Sequence, residues 1–228
     1  MATFLTLAQH LLREIGTGGR LTTLAPDGTE LDHVREWIKE AYVTILRYSH
    51  WDFLWRECEF IGDGARREFA LADASWPAGT APPLLYDWDT EGFYSSRQGA
   101  SGMSPMAWIA WEDIRARRRM TMLASSVPWV FSITPDQRVA IETPLGVGCK
   151  IRAAFWEWPD VDTQVTNTGE PVIPAQYQMV IVWQGLIFAA AHHAEPDKYQ
   201  HGEQQRDAIL AKMQSRNLPR FALGAPLV

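Results

Sequence analysis

Only two cysteines, Cys58 and Cys149, occur in the 228 residues, too few for a disulfide-stapled scaffold. Their spacing leaves one disulfide open, with two buried thiols in a reducing compartment as the expectation. A basic excess is also missing: 21 Lys and Arg against 27 Asp and Glu give a net charge of -6. That excludes a surface that grips DNA nonspecifically, because such a surface must neutralise phosphates. It leaves open a surface that DNA slides past. No run is long enough to cross a bilayer: the most apolar stretch, 179–191, is broken only by Gln184 and Gly185 and is 13 residues long. The N-terminus has no basic residue before Arg13, and Gln9 and His10 interrupt its apolar positions; we expect neither a signal peptide nor a membrane anchor. Internal repeats, low-complexity blocks and the GxSxG, Walker-type and GxGxxG patterns are absent, and the Gly-rich pieces near Gly16 and Gly99 lack a strand-to-helix setting. A hydrophobic content of 46% with eleven tryptophans excludes wholesale disorder, and the length suits one larger domain or two small ones.

Helical periodicity is written at both ends. Thr3 can cap a helix whose apolar residues are Phe4, Leu7, Ala8, Leu11, Leu12 and Ile15, with Gly16 and Gly18-Gly19 as the stop. After a linker through Pro26-Asp27-Gly28, Thr29 and Asp32 resemble a capping box. Leu31, Val34, Trp37, Ile38, Ala41, Tyr42, Ile45 and Leu46 then fall on one stripe. Near the other end, Pro171 and Pro174 place a helix start at about Ala175 and Glu195-Pro196 place its stop at about Ala194. A second helix follows to Asn217-Leu218-Pro219. The first of this pair is so apolar that it requires cover on nearly every side, from the same chain or from neighbours.

Between the ends the period changes to two. Glu59-Phe60-Ile61 and Arg67-Glu68-Phe69-Ala70-Leu71 flank Gly62-Asp63-Gly64-Ala65 and read as a β-hairpin. Further strands are expected at 129–133, 138–141 and 150–158, forming a half-buried antiparallel sheet. Residues 73–106 read as a long loop with short strands at 84–87 and 92–94, and 106–119 as a short helix. The expectation is an α+β chain: a helical bundle from 1–55 and 170–217, an inserted antiparallel β-rich region at 56–169, and a C-terminal docking tail at 218–228.

Four groups of residues bear on chemistry. His192-His193, with His201 and Glu195, carries metal-ligand residue types, but adjacent helical histidines point about 100° apart and no HExxH or CxxC accompanies them; end-of-helix histidines facing the helix dipole are the expectation. Asp160 and Asp162 are paired carboxylates among tryptophans, yet a glycosidase pair must straddle a cleft, and a solvated loop is the plainer reading. Arg115, Arg117, Arg118 and Arg119 form the one basic run, able to meet phosphate or an acidic partner if it is not a solvated helix face. Aromatics between 76 and 129 could stack on sugars or bases, against the commoner structural use of tryptophan.

The opening helix TFLTLAQHLLREIG, the second helix running into Ser49-His50-Trp51-Asp52-Phe53-Leu54-Trp55, and the unit from Pro171 to Met213 together resemble the head-to-tail adaptor (head-completion or connector) proteins of tailed bacteriophages. Within the last unit the likeness rests on Pro171-Val172-Ile173-Pro174, Tyr177, Ile181-Val182-Trp183, the alanine run and Glu195 to Tyr199. The likeness covers most of the chain through short structural motifs; residues 73–125 fit no such pattern.

The resemblance implies a virion subunit assembled in the bacterial host cytoplasm, without catalytic residues, cofactor or metal. It would form a ring, commonly twelve-fold, beneath the portal protein. The ring would extend the DNA channel without sequence-specific DNA binding and present a platform for the next tail component: a stopper, nozzle or tail terminator. The apolar, aperiodic tail from Arg220 is expected to dock on the portal through Phe221, Leu223 and Leu227. Two competing expectations are an aromatic-rich carbohydrate-binding or tail-associated recognition module, and a hydrolase using the carboxylates near residue 160.

Overall fold

The computed structural model describes residues 2–16, 21–25, 31–76, 82, 83, 85–120 and 127–217. The Pro26-Asp27-Gly28 linker, Thr29 of the expected capping box and the whole tail from 218, including Phe221, Leu223 and Leu227, lie outside the described residues. In chain order the elements are α1 (Phe4–Ile15), α2 (Leu31–Arg47), β1 (Trp55–Ile61), β2 (Glu68–Phe69), β3 (Leu85–Ser96), β4 (Ser104–Pro105), β5 (Ala107–Trp108) and α3 (Trp111–Met120). They continue with β6 (Val130–Ile133), β7 (Val139–Ile141), β8 (Lys150–Trp158), α4 (Val161–Gln164), α5 (Met179–His193) and α6 (Pro196–Asn217). The fold is α+β, and the chain divides into two compact units, one from residues up to 54 together with those from 159, the other from 55 to 158.

The helical unit is built around α5. Val180, Ile181, Val182, Gln184, Gly185, Leu186, Ile187, Ala189 and Ala190 of α5 are all buried, and α6, α2 and α1 pack around it. The cover that its composition demands therefore comes from its own chain. Two glycines permit close approach: a Cβ on Gly185 would stand 3.0 Å from Leu11 Cδ2, and one on Gly202 of α6 would stand 3.0 Å from Ile187 Cγ1. Gln184, the polar interruption of the apolar run, accepts a hydrogen bond from Arg206 of α6 at 3.3 Å, which fixes the register of the two helices. The ends follow sequence chemistry. Thr3 caps α1 by accepting from Thr6 N–H, and left-handed Gly16 closes it. Lys198 Nζ then donates to the exposed carbonyl of Ile15 at 2.6 Å.

The boundary of the insertion differs from the sequence expectation. Residues 159–169 belong to the helical unit, where they are bonded to α1, α2 and the segment between them. Asp162 pairs with Lys39, Tyr42 donates to Gln164 Oε1 at 2.9 Å, Asn167 Oδ1 accepts from Leu24 N–H, and Phe4 N–H reaches Gly169 O at 3.0 Å. Buried Gln178 holds the next segment: it accepts from Ala2 N–H and donates to Ile173 O. The helix expected from Ala175 opens instead with a short 3-10 turn, Ala175–Tyr177, and α5 proper begins at Met179.

The β unit has three layers. One sheet has strand order β1-β8-β3-β4 and the other β2-β7-β6-β5, antiparallel except for the short parallel β5-β6 pair. Between them Phe60, Phe69, Trp88, Phe93, Phe131, Val139, Ile141, Ile151 and Phe155 form one core, with Phe93 and Phe131 stacked at 3.9 Å. The alternate residues of the second sheet, Val130 and Ala140, pack with Ile114 of α3 in a smaller cluster. The layer order is thus first sheet, second sheet, α3.

Several local expectations are corrected. The hairpin across Gly62-Asp63-Gly64-Ala65 does not form: β1 pairs with β8 and β2 with β7, so its two arms lie in different sheets. Gly62 donates to Cys149 O and Gly64 to Leu145 O, and a Cβ at Gly62 would fall 2.1 Å from Gly146 O; the turn packs on 145–149 instead. The two short strands expected within 73–106 are one 12-residue strand, β3, with a bulge between Asp89 and Phe93. The helix expected from Met106 begins at Trp111, after β5.

Candidate interaction surfaces

The four arginines of the basic run separate into two kinds. Arg118 follows Trp111 and Ile114 on the buried face of α3: its guanidinium donates to Ile141 O and Arg67 O at 2.9 Å each and to Glu68 at 2.6 Å. With its side chain only 17% exposed, it is a structural clamp between α3 and the second sheet. Arg117 pairs with buried Glu142 at 3.5 Å and lies over the Trp129 ring at 5.4 Å. Arg115 and Arg119, four residues apart, are exposed. Together with Glu112 and Ala116 they line an open depression on the outer side of α3. The arrangement leaves two guanidinium groups one turn apart for an outside carboxylate, phosphate or aromatic face.

The opposite side of the β unit carries the outward residues of the first sheet. On β1, Trp55 and Glu57 point out, and Trp55 stands directly across from Trp156 of β8. Trp156 is in turn paired with Asp87 of β3, and Trp158 with Leu85. Indole N–H groups donate to the carboxylates: Trp55 to Asp89 at 3.2 Å and Trp158 to Asp87 at 2.9 Å. Both rings are held in place, and the other oxygen of Asp89 accepts from Glu91 N–H at 3.1 Å. Trp55, Glu57 and Asp87 are exposed, with Trp55 at 38%. Further along the face, Lys150 neutralises Glu59 at 2.8 Å. The tryptophan end is therefore aromatic and acidic, and the other end is closer to balanced.

The described aromatics of residues 76–129, for which stacking was the less favoured alternative to structural use, do not converge. Trp88 and Phe93 are core, Tyr94 lies on the outer sheet face, and Trp108 and Trp129, 54% and 58% exposed, lie on β5 and beside Arg117. Sequence reasoning missed the indole row of Trp55, Trp156 and Trp158, although the alternation of Trp156 and Trp158 along β8 was the available signal.

Among the histidines, His192 lies 5.4 Å from His33 and 4.9 Å from His193, with Trp37 against both, while His201 packs on Trp183. No group of three His, Cys, Asp or Glu among the described residues is placed to hold a metal ion. The carboxylates near 160 have structural work. Asp160 caps α4 through Asp162 N–H. The hydrogen bond from Lys39 holds the Asp162 carboxyl below its ordinary value, the reverse of what a general acid needs. Cys58 and Cys149 are buried free thiols. Burial, with Glu57 nearby, pushes Cys58 up to about 12, so it carries no thiolate at neutral pH.

No protein-family model matches the chain, and no curated protein is similar to it. No helix of the described residues is long and apolar enough to cross a membrane.

Proposed function

We propose that this chain is a non-enzymatic virion subunit of a tailed bacteriophage, a head-to-tail adaptor. Copies of it assemble into a ring, twelve-fold in the commonest arrangement, beneath the portal, extend the DNA channel and offer a platform to the next tail component. The observation that carries this reading is the placement of the resembling segments. The opening helix, the second helix with buried Trp51, and the stretch from Pro171 to Met213 all fall in one helical unit made by both chain ends. A net charge of -6 suits a channel wall repeated around DNA, since a ring of acidic subunits lets the duplex pass without gripping it.

Electron microscopy of the protein alone and mixed with portal tests the reading: rings or portal-bound collars support it, and a monomer that ignores portal counts against it. Removing residues 219–228 is expected to abolish attachment to portal-bearing capsids; undiminished attachment would refute the docking role of Phe221, Leu223 and Leu227. Carbohydrate recognition is the competing reading. Its outcome would be glycan binding on an array by a protein that forms no ring.

A further inference from the structure

The layer order of the β unit puts two chemically opposite surfaces on its two sides. On one side is the outward face of the first sheet, where exposed Trp55, Glu57 and Asp87 stand beside half-buried Trp156, Trp158 and Asp89. The cations of that face, Lys150 and Arg152, stand toward its far end. On the other side, beyond the second sheet, α3 presents Arg115 and Arg119 with Glu112 and Ala116, flanked by Arg117 on Trp129. Guanidinium groups bind carboxylates through planar pairs of N–H donors and stack on indole faces. Tryptophan and arginine are also the residues that dominate protein interfaces. One surface offers what the other requires.

We propose that the outer face of α3 in one copy docks on the tryptophan-carboxylate face of the first sheet in a second copy. Arg115 and Arg119 lie against Trp55, Glu57 and Asp87 of the neighbour. This rests on the ring reading above and specifies its contact. A two-fold pairing through the sheet face alone would set the carboxylates of Glu57 and Asp87 against each other. Contact between unlike surfaces is head-to-tail and repeats from copy to copy; it gives a ring where the rotation between copies closes and an open filament where it does not, and the ring reading requires the first. It also assigns a role to the one basic concentration of an otherwise acidic chain.

The test uses the full-length chain and two charge reversals, Arg115→Glu with Arg119→Glu, and Glu57→Lys with Asp87→Lys. Self-association is followed by sedimentation. In the wild type it strengthens at low salt; either double variant alone is weakened at least about tenfold, as expected on reversing a charged contact. An equimolar mixture of the two recovers association, because reversed surfaces then meet each other and native ones do likewise. Circular dichroism confirms that each variant is folded, and the mixture controls for any local disturbance at Asp87, which holds Trp158. Variants that associate like the wild type, a mixture that fails to recover, or a wild type that stays monomeric at all concentrations would overturn the contact. Portal is the separate arm. Collars that form on portal with either variant sink the contact and spare the adaptor reading, whereas charge-sensitive association without portal collars does the reverse.

Discussion

Changing Tyr42 to phenylalanine removes one oxygen atom from the helical unit and tests how the returning chain is held. The ring is fully buried and meets Phe4 edge-on at 5.0 Å, a contact that phenylalanine keeps. The hydroxyl donates to Gln164 Oε1 at 2.9 Å and accepts from Val172 N–H at 3.2 Å. Burial pushes it up to about 12, so it remains a neutral donor across the working pH range. Each such bond is worth about 1 kcal/mol net, and an orphaned partner costs about 1–3 kcal/mol where water cannot reach it. Gln164 and Val172 are half-buried, so solvent partly satisfies them and the lower end applies. The expected loss is about 2 kcal/mol in urea unfolding followed by helical circular dichroism. A double-mutant cycle with Gln164→Ala should return a coupling of about 1 kcal/mol. A loss under about 0.5 kcal/mol would refute the claim that residues 159–178 are fastened through Tyr42.

Two other perturbations test the β unit. Arg118→Ala leaves Ile141 O, Arg67 O and Glu68 without their donor and should cost about 2–3 kcal/mol. Arg115→Ala on the exposed side should change stability by no more than about 0.5 kcal/mol, and thermal unfolding of the pair of variants distinguishes the roles. Asp63 accepts from Arg66 and Ala65 backbone N–H groups and from the Arg66 guanidinium, which hold its carboxyl at about 2, below its ordinary value of 3.8. Because the folded value is depressed, its contribution is complete above the ordinary value and is lost as pH falls toward 2. Carboxyl NMR should find that titration absent between pH 6 and 4, and an Asp63 that titrates near 4 would contradict the turn geometry.

The parts of this fold that were legible in the sequence are those set by local chemistry. Thr3 and Gly16 bound α1 as expected, Pro196 opens α6, and the β-rich run from Lys150 to Trp158 forms β8 with the expected bounds. What escaped was decided by distant partners. The turn at Gly62 to Ala65 has the composition of a hairpin, yet β1 gains more by pairing along its own whole length with β8 than by folding back on two residues of β2. Thr90-Glu91-Gly92 reads as a break between strands, yet it is a bulge within one. The cover of α5 was legible as a need but not as a source, and it comes from α1, α2 and α6. Among the candidate site residues, helical spacing from Trp111 and Ile114 marks Arg118 as inward, but Arg115 stands four residues from Trp111, so the exposure of Arg115 and Arg119 was not legible from spacing. The partner of the outward pair was not legible, because the opposite face of the sandwich is assembled from strands distant in sequence, as where Trp55 pairs with Trp156 and Leu85 with Trp158.

The measurement that bears most directly on the proposed role is electron microscopy of the full-length protein incubated with purified portal. Closed rings seated coaxially on one end of the portal, with an open central channel, are the expected result. A protein that remains monomeric and leaves portal particles unchanged, at concentrations well above those of assembly, would contradict it.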